Sequence, residues 1–214
     1  LSIQHMTPVI LLTDGYLANG SELWQIPKVS DLPAINPPLV EDNDPYYHPY
    51  NRDPQKLARY WAFPGQEGLR HRIGGLEKTD VTGEVSHDPM NHEIMTLTRA
   101  EKVERVVNWI PKQKVIGKEK GDLLVVGWGG TYGALVTAVN ELQDENRAIS
   151  LTQFNYINPL PENVDEIFSN FKKIIVCELN LGQFAYHLRS KFPKYNYLQF
   201  NKIQGLPFLI SELK

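Results

Sequence analysis

Two sets of residues in this chain have the types and spacing to do chemistry. The first is Gly127, Gly129, Gly130, Thr131 and Tyr132, a glycine turn between the apolar run Leu123–Val126 and a helical pattern. A dinucleotide fingerprint needs G-x-G-x-x-G and an acid about twenty residues on for the ribose hydroxyl. Tyr132 stands where the third glycine belongs, and the next strand ends in Gln153, Phe154 and Asn155 without a carboxylate. What remains is a tight turn that presents backbone N–H groups at a helix start, with Thr131 as the expected cap. Such a turn either holds a carboxylate or phosphate or simply joins strand to helix, its glycines permitting close packing.

The second set is acidic. Asp14 and Glu178 each end an apolar strand pattern, where α/β proteins place ligands. Either could equally cap a following turn. The histidines offer less. His87 and His92 lie five residues apart across a helix start, so their rings do not share a face, and His48 and His71 have no ligand spacing. No Ser/His/Asp or Cys/His pattern stands out. The single cysteine, Cys177, lies inside "KIIVCEL" and reads as a small core residue. One thiol forms no intramolecular disulfide and cannot hold an iron–sulfur cluster, which needs about four thiolates.

The elements that must position these residues follow from periodicity. From Gly121 onward strands and helices alternate: strand 123–127, helix 131–144, strand 148–154, helix 163–171, strand 173–179, helix 183–191, strand 195–200 and a short helix near 207–213. That alternation predicts an α/β fold with a doubly wound parallel sheet. Asn163 and Glu166 read as a capping box. Upstream, Asp88 and Pro89 suit the N-cap and first turn of a long helix ended by Pro111. Its apolar stripe is Met90, Ile94, Leu97, Ala100, Val103, Val107 and Ile110, with Glu101 and Arg105 paired outside. "KQKVIGKEKGD" reads as a solvated linker. Residues 24–89 hold nine of the fifteen prolines, which argues against regular structure, while their tyrosines and tryptophans argue against disorder. The expectation is an ordered arm. Val9–Leu12 reads as a strand of a parallel sheet with no upstream neighbours, as if the chain began near the end of a larger domain. Such a strand should dock on the 121–214 domain, pair with a second copy or be left disordered, with docking or pairing favoured because the tyrosine-rich arm gives it something to pack on.

Composition bounds the partners. The net charge is −3, so nothing electrostatic calls for nucleic acid or an anionic membrane. No run approaches the ~18 apolar residues of a membrane span and no signal peptide opens the chain, so a cytoplasmic address is expected.

Several segments together carry a family resemblance. "TPVILLTDGYLANGSE", "HRIGGLEKTDVTGEVSHDPMNHEIMTLTRAEKV", "GWGGTYGA" and "INPLPENVDEI" with "CELNLGQFA" resemble, in order, the alpha subunit of the 2-oxoacid:ferredoxin oxidoreductases, most closely the 2-oxoglutarate-using type. The resemblance implies thiamine diphosphate chemistry on a 2-oxoacid, electron transfer through iron–sulfur clusters to ferredoxin, and release of an acyl-CoA. It implies that residues 1–23 end a pyrimidine-binding domain, 24–120 are a connecting arm and long helix, and 121–214 form a domain like the carboxy-terminal domain of transketolase. The cofactor-activating glutamate is then expected upstream of Leu1, and the diphosphate- and cluster-binding parts in a beta subunit. This segment would carry no catalytic residue and bind no cofactor. It would serve assembly and shape a substrate or CoA entrance through Gly129, Gly130, Thr131 and Tyr132 and through Asn180, Gly182 and Gln183. Lys78 departs from the histidine expected in many relatives. The alternatives are a free-standing module binding a small anion, and the equivalent region of a 2-oxoacid dehydrogenase or transketolase.

Overall fold

A computed structural model describes residues 1–214, which fall into two compact units. One unit comprises residues 11–23 and 110–214. Its centre is a four-stranded, all-parallel sheet in the order β2-β1-β3-β4, formed by β1 (Gly121–Trp128), β2 (Ile149–Phe154), β3 (Phe171–Glu178) and β4 (Tyr197–Asn201). Leu124 and Val126 point to one face, among Phe154, Phe168, Val176, Phe184 and Leu188, and Val125 points to the other, among Leu135, Val139, Leu151, Cys177 and Phe208. Both faces are therefore apolar, as a parallel strand between helical layers requires. Helices α4 (Tyr132–Asp144) and α7 (Ile210–Leu213) contribute to the second core; α5 (Val164–Ser169) and α6 (Gln183–Lys191) contribute to the first.

Three local expectations change. The lysine-rich stretch after the long helix is not a solvated linker. Ile116 pairs antiparallel with Leu151 through two backbone hydrogen bonds of 2.7 and 3.0 Å, and the hydroxyls of Ser150 and Thr152 donate to Lys118 and Lys114 carbonyls. This strip covers the outer edge of β2, which would otherwise expose unpaired backbone groups. Asn163 occupies the N-cap of α5 but does not cap it. Its amide instead binds the N–H and C=O of Gln113, anchoring the same strip. Val9–Leu12 forms no strand. A strand needs hydrogen-bonded neighbours, and this segment has none; Ile10 and Leu11 are more than four-fifths exposed.

The other unit comprises residues 1–10 and 24–109. Its main helix, α3 (Pro89–Arg105), starts as expected: the Asp88 carboxylate accepts from the Met90 N–H at 3.0 Å, and Glu101 pairs with Arg105 at 2.6 Å. The apolar stripe, however, does not face a core, since Met90 and Leu97 are each 62% exposed. The buried side carries Asn91 and Met95, and Val106, just past the helix end, is buried too. Asn91 bridges the Asp80 N–H and the Lys78 carbonyl, and the Lys102 ammonium donates to the Met6 carbonyl. The proline-rich arm is ordered by polar pins of this kind. Arg52 pairs with Asp80, the Trp61 indole donates to the Ile3 carbonyl at 2.8 Å, and Arg59 stacks over Tyr50 at 4.3 Å. Lys78 is buried and donates to the Gly74 and Leu76 carbonyls, holding the "IGGL" loop. No helix is long and apolar enough to cross a membrane.

His5 in α1 (Ser2–His5) is almost fully buried, edge-on to Trp109 at 4.9 Å, and its Nδ1 has no hydrogen-bond partner. Burial and the nearby Lys56 ammonium hold its pKa below the ordinary 6.5. The unfolded chain therefore takes up a proton first as pH falls. This contribution to stability is intact above 6.5 and declines below it, down to the lowered folded value. Urea unfolding midpoints should fall between neutral pH and about 5.5, and His5→Gln should flatten that slope.

Candidate functional site

The strand order reverses between β1 and β3: α4 leaves the end of β1 over one face and α6 leaves the end of β3 over the other. In doubly wound sheets the crevice at the carboxyl ends of two such strands is where ligands bind. Here that crevice is a cavity of about 310 Å³. Trp128, Gly129, Gly130 and Thr131 line it from the end of β1, Leu179 and Asn180 from the end of β3, and Leu12, Thr13 and Asp14 from the segment laid across them.

Glu178 organises the β3 side. It is fully buried, and its carboxylate accepts from the Trp128 indole at 3.2 Å and from the N–H groups of Phe184 and Ala185, each at 2.9 Å. A buried carboxylate is tolerable only when its oxygens are so satisfied, and the positive end of α6 adds to the effect. One side chain thus ties the end of β1 to the start of α6. The adjoining turn is equally self-contained: the Asn180 side-chain oxygen accepts from Gly182 at 2.6 Å and from Gln183 at 3.1 Å. Gly182 sits at φ +95°, a left-handed conformation that side-chain-bearing residues rarely adopt, so glycine is favoured there. The first amides of α6 are therefore committed within the chain. Of Asn180, Gly182 and Gln183, only Asn180 reaches the cavity.

The glycine turn has a specific packing reason. A Cβ on Gly127 would strike Leu135 at 2.4 Å and Gln153 at 2.6 Å, so this glycine permits close approach of strand and helix. A Cβ on Gly130 would lie 2.6 Å from Oδ2 of Asp14. The carboxylate lying on this turn is the chain's own. Oδ1 of Asp14 accepts from the Tyr16 N–H at 2.9 Å and caps α2 (Gly15–Asn19), while Oδ2 faces Gly130. Thr131 is not a cap. It sits in a 3-10 turn with helical backbone, so its hydroxyl reaches back and donates to the Trp128 carbonyl at 2.9 Å. Tyr132 opens α4, half exposed, and does not line the cavity. The sequence marks Asp14 and Glu178 as strand-end acids that could hold a ligand or cap a following turn, and Asp14 does cap α2. The partnership of Asp14 with Gly130 and of Glu178 with Trp128 joins residues too distant in sequence for spacing to reveal.

Chemically, the cavity can bind and orient. It contains one ionisable group, Asp14, and no nucleophile–base pair. Cys177, next to Glu178 in sequence, faces the apolar core below the site, and burial, with the neighbouring Glu178 charge, pushes its thiol up to about 12. No group of three or more His, Cys, Asp or Glu side chains comes together as a metal site would need.

No family model matches the chain. Over its whole length it is 38% identical to 2-oxoglutarate oxidoreductase subunit KorA of Mycobacterium tuberculosis, covering 32% of that protein. It is 28% identical over 228 residues to the alpha subunit of 2-oxoacid:ferredoxin oxidoreductase 2 of Aeropyrum pernix, covering 98% of this chain and 33% of that one. Among solved structures it is similar, with a TM-score of 0.79 and 26% identity, to the 2-oxoglutarate:ferredoxin oxidoreductase of Magnetococcus marinus, which has 2-oxoglutarate, coenzyme A and succinyl-CoA bound. That match covers 87% of this chain and 32% of the other. The chain spans about a third of the length of these relatives.

Glu178→Gln replaces one accepting oxygen by an amide that faces N–H donors, and should cost about 2 kcal/mol, seen as a lower urea midpoint at unchanged slope. Gly130→Ala should loosen residues 11–23 and speed proteolysis there. In a double-mutant cycle its effect should largely vanish on an Asp14→Gly background, because the clash is with that carboxylate.

Proposed function

We propose, on the premise that this chain belongs to the alpha-subunit family of the 2-oxoacid:ferredoxin oxidoreductases, that it is the C-terminal portion of such a subunit and serves assembly rather than bond-making. The observation that supports this most is the similarity along all of the chain at 38% identity. The complete enzyme would decarboxylate a 2-oxoacid, with 2-oxoglutarate the best candidate, on thiamine diphosphate. It would send the electrons through iron–sulfur clusters to ferredoxin and release an acyl-CoA. Its diphosphate- and cluster-binding parts would lie in a beta subunit, and a cytoplasmic address suits it.

Within that enzyme, residues 121–214 would act as a transketolase-like structural domain whose strand-end loops are held rigid by Glu178 and Asn180. The glycine turn would then border a route for 2-oxoacid or CoA as a wall, not as an anion ligand. Its surface already carries the Asp14 carboxylate, and a second anion beside it is disfavoured by like-charge repulsion. The same observation weighs against a free-standing small-anion module.

By calorimetry the isolated chain should show no heat of thiamine diphosphate binding and should not decarboxylate 2-oxoglutarate. The full-length subunit, co-expressed with a cysteine-bearing, diphosphate-binding partner, should reduce ferredoxin in a reaction needing both 2-oxoglutarate and CoA. Micromolar binding of the cofactor by the chain alone would overturn the assignment.

A further inference from the structure

The cavity between the ends of β1 and β3 has an unusual balance of charge and hydrogen-bonding capacity. Its walls include Leu12, Trp128 and Leu179, apolar surfaces able to take a flat or aliphatic body. Two of its four polar side-chain donors are already used. The Trp128 indole donates to Glu178, and the Thr131 hydroxyl donates to the Trp128 carbonyl. Among side chains, the Thr13 hydroxyl and the Asn180 amide nitrogen stay open, and both are neutral. The one charge is Asp14, of which Oδ1 is held by the Tyr16 N–H and Oδ2 accepts no hydrogen bond. No lysine, arginine or histidine lines the cavity to neutralise it.

A carboxylate with an open oxygen, set in a partly apolar pocket without a cation, attracts a positively charged donor and repels an anion. We propose that this cavity is a binding site for a small amine: a monocation whose ammonium donates to Oδ2 of Asp14 and whose apolar body lies against Trp128, Leu12 and Leu179. The site shares Gly129 and Gly130 with the wall assigned above but rests on the charge and hydrogen-bonding capacity of its own lining. It takes the opposite charge class from 2-oxoacids and CoA, so its occupancy is not a disguised test of their binding.

The test uses the 214-residue chain and two probes of similar shape and opposite charge, phenethylamine and phenylacetate. Amide chemical shifts are followed by nuclear magnetic resonance. Phenethylamine should give saturable shifts at Gly129, Gly130 and Asn180 at millimolar concentration, and phenylacetate should give none. Asp14→Asn keeps an oxygen to cap the Tyr16 N–H and should preserve the segment while weakening phenethylamine by roughly tenfold or more. Leu179→Ala should weaken it through the apolar wall without changing the charge preference. The proposal is overturned if phenylacetate binds as well as the amine, if Asp14→Asn leaves amine binding unchanged in a folded protein, or if neither probe shifts these amides.

Discussion

Glu178 is placed where a parallel sheet most needs a constraint. At the switch point the chain leaves β1 and β3 in opposite directions, and nothing in the sheet's own ladder fixes how the two exits sit. A buried carboxylate that accepts from the Trp128 indole and from two amides of α6 supplies that fixed point. Removing a charge from water costs several kcal/mol unless its lone pairs are filled. The geometry is therefore strongly specified: a displaced Trp128 or a frayed α6 leaves a buried oxygen unpaired. The turn through Asn180 and Gly182 and the shape of the cavity wall both follow from this anchor.

Asp14 works at the same edge in the opposite sense. It is a half-exposed acid that spends one oxygen on capping α2 and rests the other on a glycine whose missing side chain makes room for it. The contact brings residues 11–23 onto the carboxyl end of the sheet, so the chain supplies part of its own cavity wall. Leu11, by contrast, stays in water, and with it much apolar surface whose burial would be worth ~1.5–3 kcal/mol per side chain. The segment is thus tied through a polar contact rather than through its apolar residues.

The same logic orders the proline-rich unit. Its arm forms only isolated backbone bridges, such as Leu39–Trp61, Tyr50–Val81 and Lys78–Val85, and no extended ladder, because proline withholds donors. Side chains that reach backbone carbonyls add to these: Trp61 to Ile3, Lys102 to Met6, Lys78 to Gly74 and Leu76. Each link satisfies a carbonyl that an irregular backbone leaves without a partner. That is why α3 turns Asn91 and Lys102 inward and leaves Met90 and Leu97 exposed.

Local signals by themselves determined a good deal. Alternating apolar runs and helical periods gave the parallel strands and their helices to within a few residues, because side-chain period and chain direction are properties of neighbouring residues. Asp88 and Pro89 marked the start of α3 for the same reason. Tertiary structure decided which acids and glycines meet. Nothing in the spacing pairs Asp14 with Gly130, or Glu178 with Trp128, since those contacts exist only after the sheet has ordered its strands as β2-β1-β3-β4. It also overruled local patterns where a distant partner offered more. Asn163 left its helix for Gln113, Thr131 turned back to Trp128, and the charged strip around Ile116 covered an open strand edge. A polar group goes where its hydrogen bond is best satisfied, and that place is set by the folded chain, not by the residues beside it in sequence.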